Sequence, residues 1–208
     1  ASEGLGLIET YLKLNPYCKV ILVTGAARRI GAAIVTRLHA EGARAAIHYR
    51  GSAEAANELA AALNARRPDS AATFQADLLL TDELPQLVAD VVAWGGRLDA
   101  LVNNAGYGLP GTFFNTSWKS QAEFLRVLYT APIELAHKVL PGMADRGYGR
   151  IINVASLAGY APGSNGHTLY ASVKAGLIKF SESLNAECDA FEGADIHCTA
   201  LCPGFTYS

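Results

Sequence analysis

Charge is scarce in this chain. Only 17% of its 208 residues are charged, and seventeen basic against nineteen acidic side chains leave a net charge of −2. Nothing therefore supplies the basic excess that neutralises a phosphate backbone, and no nucleic-acid partner is expected. Long apolar runs are missing too. No stretch reaches the roughly 18 residues of a membrane span, so no membrane partner is expected either. The first sixteen residues lack the cationic start and continuous apolar stretch of a secretory signal. Cysteine is limited to Cys18, Cys188, Cys198 and Cys202, without a Cys-x-x-Cys pair. That is no disulfide framework; reduced, buried thiols in a cytoplasmic protein are the expectation. The histidines (His39, His48, His137, His167, His197) are scattered without ligand spacing, so no metal is expected.

What the chain has is apolar residues, half of its composition, and length. About 200 residues can bury roughly 70% of their unfolded surface in one domain. Short apolar runs alternate with helical stretches. Lys19 to Thr24, Arg44 to Tyr49, "AATFQ", Leu98 to Asn104, "RIINVAS" and "DIHCTALC" read as six strands. Between them, "IGAAIVTRLHAEG" carries Ile30, Ile34 and Leu38 at helical spacing, with Gly42 at its end. A second helix opens at Ser52 as N-cap and stops at Pro68. "ELPQLVADVVAW" is a third helix. Trp118 to Ala144 reads as helical with a junction at Pro132, and Leu169 to Glu192 as one long helix. Strands apolar throughout and separated by helices predict a single doubly wound parallel sheet with helices on both faces, a three-layer α/β sandwich. Residues 1–18 sit outside this alternation as an N-terminal extension.

The segment "TGAARRIG" falls between the first strand and the first helix, where ligands bind in open α/β sheets. Gly25 permits a sharp turn, and Gly31 permits close approach of helix, sheet and phosphate. The helix N-terminus offers free N–H groups and a positive dipole end.

With that turn, "NNAG" (Asn103 to Gly106), "YASVK" (Tyr170 to Lys174) and Pro203-Gly204 follow in order. The set resembles the short-chain dehydrogenase/reductase family over residues 19–208. The resemblance implies a Rossmann-type NADP-binding domain, an oxidoreductase and a nicotinamide cofactor. Arg29 stands where most members have the middle glycine. That variant, and "HYRGSAEA" after the second strand, resemble the pteridine reductase branch; the second half resembles general carbonyl reductases. The resemblance implies cofactor contacts from Gly25, Arg28, Arg29, Ile30 and Gly31 in the turn, and from Tyr49, Arg50, Gly51 and Ser52 beyond the second strand. Asp77 and Leu78 would flank the adenine, with Asn104, Ala105 and Gly106 on the adenosine and ribose side. Tyr170, Lys174, Pro203 and Gly204 complete the set.

No carboxylate occupies Tyr49, Arg50 or Gly51, where NAD-specific sites place one. Arg50 with Arg28 or Arg29, and Ser52, form a fork for a 2′-phosphate instead, so NADP(H) is expected. Tyr170 and Lys174, four apart, project from one helix face. Tyr170 is the expected general acid/base. Lys174 is expected to lower its pKa, and the resemblance implies that it also holds the nicotinamide ribose; Ser156, fourteen residues before Tyr170, is expected to polarise the substrate oxygen. Leu128 stands where the family carries an asparagine that supports a water relay to the lysine. The expected substrate is a small carbonyl, alcohol or pterin compound. The alternative is a catalytically weak dinucleotide-binding sensor or scaffold. Family members continue beyond "LCPGFTYS" into a substrate-covering segment, so 19–208 is expected to lack that lid. The two long helices carry more apolar residues than one sheet face can cover, and the resemblance implies that they pair with their symmetry mates in a homodimer or homotetramer.

Overall fold

All four residues of β1 (Val20–Val23), all four of β4 (Ala100–Asn103) and all seven of β5 (Tyr148–Val154) are buried in the computed structural model, which describes residues 19–163, 166 and 168–204. The extension 1–18 and His167 lie outside the described residues. Strands with no solvent face need cover on both sides, which two helical layers provide. With β2 (Arg44–Tyr49), β3 (Ala71–Gln75) and β6 (Asp195–Leu201) they form one six-stranded sheet of order β3-β2-β1-β4-β5-β6. Every pairing is parallel.

The two-residue alternation of β1 shows how the layers divide. Ile21 and Val23 face the core shared with α1 (Arg29–Ala40) and α2 (Ala53–Arg66), through Ile34, Leu38 and Leu63. Val20 and Leu22 face the other core. There α3 (Glu83–Gly95) contributes Leu84, Leu87 and Val91. Phe124 of α4 (Trp118–Leu125) and Leu135 and Met143 of α5 (Ala131–Asp145) complete that layer. The doubly wound three-layer sandwich is the fold the sequence predicts.

Three local expectations are refined or corrected. The junction read at Pro132 lies just before it and is a π-helical turn, Arg126–Thr130, that separates α4 from α5. Pro132 has no N–H to give Leu128, and the N–H of Ala131 instead closes an i→i−5 bond on the carbonyl of Arg126. The last helix, α6 (Thr168–Cys188), ends four residues before Glu192. A turn stabilised by Phe191 N–H on Cys188 O, with Gly193 at φ +78°, leads from it into β6. Ser52 precedes α2 as expected, but its side chain makes no capping bond. Among the described residues, no helix is long and apolar enough to cross a membrane.

Candidate active site

The strand order reverses at β1, with β2 on one side and β4 on the other, so the segments leaving β1 and β4 diverge and open a crevice at the carboxyl edge. Two glycines are required in the turn after β1. Gly25 sits at φ +62°, and a Cβ there would lie 2.9 Å from Ala105 Cα. A Cβ on Gly31 would lie 2.4 Å from the carbonyl oxygen of Gly25. Arg29 keeps a glycine-like conformation, φ +52°, although it carries a side chain. At the start of α1, Arg28 occupies the cap position without a capping side chain, and the first turn holds no acidic residue. Uncapped N–H groups of this kind suit an anion such as a pyrophosphate, and the glycines let turn, helix and β4 segment pack closely around the helix start; the residues present fit a dinucleotide.

The turn is held from both sides. On the β4 side, Thr24 Oγ1 accepts from the N–H groups of Asn104 and Ala105, both at 3.0 Å. The Asn104 amide donates to the carbonyls of Thr24 at 2.9 Å and Gly25 at 3.2 Å. On the β2 side, Gly25 N–H donates to His48 Nδ1 at 3.0 Å, and Ala26 N–H to the His48 carbonyl at 2.8 Å. His48 Nε2 lies 3.1 Å from the carbonyl of Ala76. Burial pushes the His48 imidazole down to about 4, so it is neutral. The sequence reading missed both Thr24 and His48. Thr24 was visible beside Gly25; His48 carried no local signal.

At the outer end, Arg28, Arg29, Arg50 and Gly51 are exposed, while Tyr49, Ser52 and Asp77 are half-buried. Leu78 is buried in the core on the α3 side. No carboxylate stands at Tyr49, Arg50 or Gly51, but the segment after β3 brings one beside Arg50. Tyr49 and Gln75 are register partners, so β2 and β3 end together, and Arg50 Nε meets Asp77 Oδ2 at 3.0 Å.

At the inner end lies a cleft of about 630 Å³. Ser156, Tyr170 and Lys174 line it together with Ile30, Asn104, Gly106, Pro203 and Gly204. Gly25, Gly31 and Ala105 lie in the clamped turn rather than on the cleft wall, and the rim residues line none of it. Tyr170 and Lys174 sit one turn apart on α6, with Lys174 Nζ 5.6 Å from the Tyr170 ring centroid. The buried Lys174 ammonium donates to the Val154 carbonyl at 2.6 Å, and burial lowers its pKa to about 8. Ser156 follows β5 and heads a 3₁₀ turn, Leu157–Gly159, where its Oγ accepts from Ala158 N–H at 3.2 Å. Leu128, in the π-helical turn, is also on the cleft wall and gives it an apolar patch behind Gly106. Among the described residues no cluster of His, Cys, Asp or Glu is arranged to hold a metal.

A doubly wound sheet with a glycine turn and an uncapped helix at its switch point defines a dinucleotide-binding class of protein. Residues 19–208 match the short chain dehydrogenase family. The chain belongs to that family. It is similar to the ketoacyl reductase HetN of Nostoc sp., 34% identical over 190 residues that cover 90% of this chain and 63% of that protein. It is likewise 34% identical to the 3-oxoacyl-[acyl-carrier-protein] reductase FabG of Staphylococcus aureus, over 91% of this chain and 75% of that protein. The chain thus spans 63% to 75% of the length of these curated relatives. Among solved structures, a blue fluorescent protein from a metagenomic library, in complex with NADPH, superposes with a TM-score of 0.84 at 33% identity. That match covers 94% of this chain and 77% of the other. A short-chain dehydrogenase from Streptomyces avermitilis gives 0.79 at 32% identity, over 89% and 65%.

Proposed function

We propose that this chain is an NADP(H)-dependent oxidoreductase that moves hydride between the nicotinamide and a carbonyl or alcohol carbon. The observation that carries the reading is the convergence of Ser156, Tyr170 and Lys174 on one cleft that the glycine-turn side also reaches through Ile30, Asn104 and Gly106. The bound dinucleotide supplies the hydride. Everything else falls to side chains of this chain. Ser156 Oγ hydrogen-bonds the substrate oxygen and polarises the carbonyl. Tyr170 gives its phenolic proton to that oxygen on reduction and takes it back on oxidation. Lys174, one turn away, favours the tyrosinate electrostatically and holds the nicotinamide ribose. Arg50, with Arg28 or Arg29, binds the 2′-phosphate. The NADPH in the similar metagenomic protein and the reductase names of the relatives support this assignment.

A second reading, a dinucleotide-binding protein with little turnover, draws on Leu128, which offers the cleft no hydrogen bond where the family has an asparagine. The family resemblance implies a homodimer or homotetramer, which light scattering at micromolar concentration tests. The functional assay is loss of NADPH absorbance with a panel of ketones, β-ketoacyl thioesters and pterins. Turnover of any carbonyl class supports the oxidoreductase; tight NADPH binding without turnover across the panel supports the second reading.

A further inference from the structure

We propose that His48 is a positioning residue for the dinucleotide, its neutral ring fixing the height of the glycine turn from beneath; this rests on the dinucleotide-binding reading above.

The sheet brings His48 to the turn. Val23 and Ile47 are register partners in the β1–β2 pair, so the next residue of β2 lies beside the point where β1 gives way to the turn. The ring is buried and both of its nitrogens are engaged. A backbone N–H can only donate, so the nitrogen facing Gly25 must be bare. The nitrogen facing a carbonyl must carry the proton. One tautomer satisfies both partners: Nδ1 unprotonated towards Gly25, Nε2–H towards Ala76. Neither the other neutral tautomer nor the imidazolium does so, because each places a proton on Nδ1 against the Gly25 N–H. Burial, which holds the imidazole neutral, keeps the ring in the form the turn needs.

The consequence reaches the phosphate site by a short route. Gly25 is in the left-handed region, and its carbonyl oxygen is the atom against which Gly31 of α1 is packed. The same oxygen accepts from the Asn104 amide. Gly25 is therefore held through its N–H by the His48 ring and through its carbonyl by Asn104, next to the backbone bond from Ala26 N–H to the His48 carbonyl. Releasing the His48 end lets Gly25 move, and α1, packed on Gly25 through Gly31, moves with it. The N–H groups of α1 then no longer stand where the phosphate requires them. The link to Ala76 serves a different end, tying the ring to the segment after β3.

Two substitutions separate these links. In His48→Asn, Oδ1 takes the place of Nδ1 and can accept from Gly25, while the reach to Ala76 is lost. In His48→Gln, the amide nitrogen takes the place of Nε2 and can donate to Ala76, while Gly25 loses its acceptor. NADPH dissociation constants by titration calorimetry, with unfolding midpoints of both variants, read the difference. His48→Gln is expected to weaken NADPH about tenfold or more, and His48→Asn by less than about threefold, at similar midpoints. Equal weakening in the two variants, or weakening that tracks the loss of stability, overturns the role. If wild type binds neither NADPH nor NADH, the dinucleotide reading itself fails and takes this role with it; wild-type binding with equal losses sinks the role of His48 alone. Should either variant not fold, ¹⁵N spectra of histidine-labelled wild type decide. A neutral Nε2–H ring at about pH 6 whose signals move when NADPH is added supports the role, and an Nδ1–H or protonated ring overturns it.

Discussion

Arg50 Nε lies 3.0 Å from Asp77 Oδ2, an ion pair that joins the segment after β2 to the segment after β3 at the outer end of the crevice. The Arg50 side chain is 66% exposed and that of Asp77 is 25% exposed, so the pair contributes little to stability. Asp77 has another partner, since its Oδ1 accepts from Leu79 N–H at 3.0 Å. A phosphate with nearly two negative charges can therefore draw Arg50 away from Asp77 at small cost. Charge-assisted hydrogen bonds to such a group are worth about 1.5–3 kcal/mol each before screening.

The first prediction follows from that exchange. Wild type prefers NADPH to NADH by roughly tenfold or more. Arg50→Asp weakens NADPH chiefly, because it removes a donor and sets a like charge beside both Asp77 and the phosphate. Titrating both proteins with both cofactors reads the result. Equal affinity of wild type for NADH and NADPH contradicts the phosphate fork and leaves the fold untouched.

Lys174 predicts a conflict between stability and function. Its charged form is disfavoured by burial, with a pKa lowered to about 8 against an unfolded value of 10.5. Below pH 8 the lysine is protonated in both states, and burying that charge costs the fold about 3 kcal/mol. As pH rises from 8 to 10.5 the folded protein sheds the proton first and the penalty disappears. Lys174→Met removes the penalty but leaves the Val154 carbonyl without its donor, at about 1–2 kcal/mol. The variant is thus expected to be more stable than wild type at pH 7 by about 1–2 kcal/mol, with the advantage shrinking by pH 10. It loses turnover at every pH. Denaturant unfolding at the two pH values checks this, and an advantage that grows with pH contradicts it.

Gly31 tests the cradle. The Cβ of Gly31→Ala would lie 2.4 Å from the Gly25 carbonyl and 2.7 Å from the Asn104 amide nitrogen, both part of the clamped turn. Neither atom can yield without releasing the other clamp. The substitution is expected to destabilise by about 1–3 kcal/mol and to weaken NADPH severely. Undiminished NADPH affinity contradicts the account of the turn.

How much of this was legible in the sequence depends on how local each signal was. β1, β4 and β5 announced themselves because both faces are apolar, and that alone implies two covering layers. Gly25 and Gly31 were legible because the turn needs them within seven residues of each other. Tyr170 and Lys174 were legible because one helical turn separates them. The ion pair of Arg50 with Asp77, the bond of His48 to Gly25 and the clasp of Thr24 with Asn104 join residues 23 to 80 positions apart. They exist only once strand order and register are set. The end of α6 was misplaced for a different reason: Asp189 to Glu192 would extend a helix as readily as a turn, and Gly193 decides between them.

The measurement that bears most directly on the proposed chemistry is Tyr170→Phe, assayed for turnover with whichever carbonyl substrate the wild type reduces and titrated with NADPH in parallel. The substitution keeps the ring against Lys174 and removes only the proton that the carbonyl oxygen needs. NADPH affinity close to that of wild type and reduction nearly abolished are the expected results. A variant that kept more than about a tenth of wild-type activity would contradict the assignment of Tyr170 as the general acid.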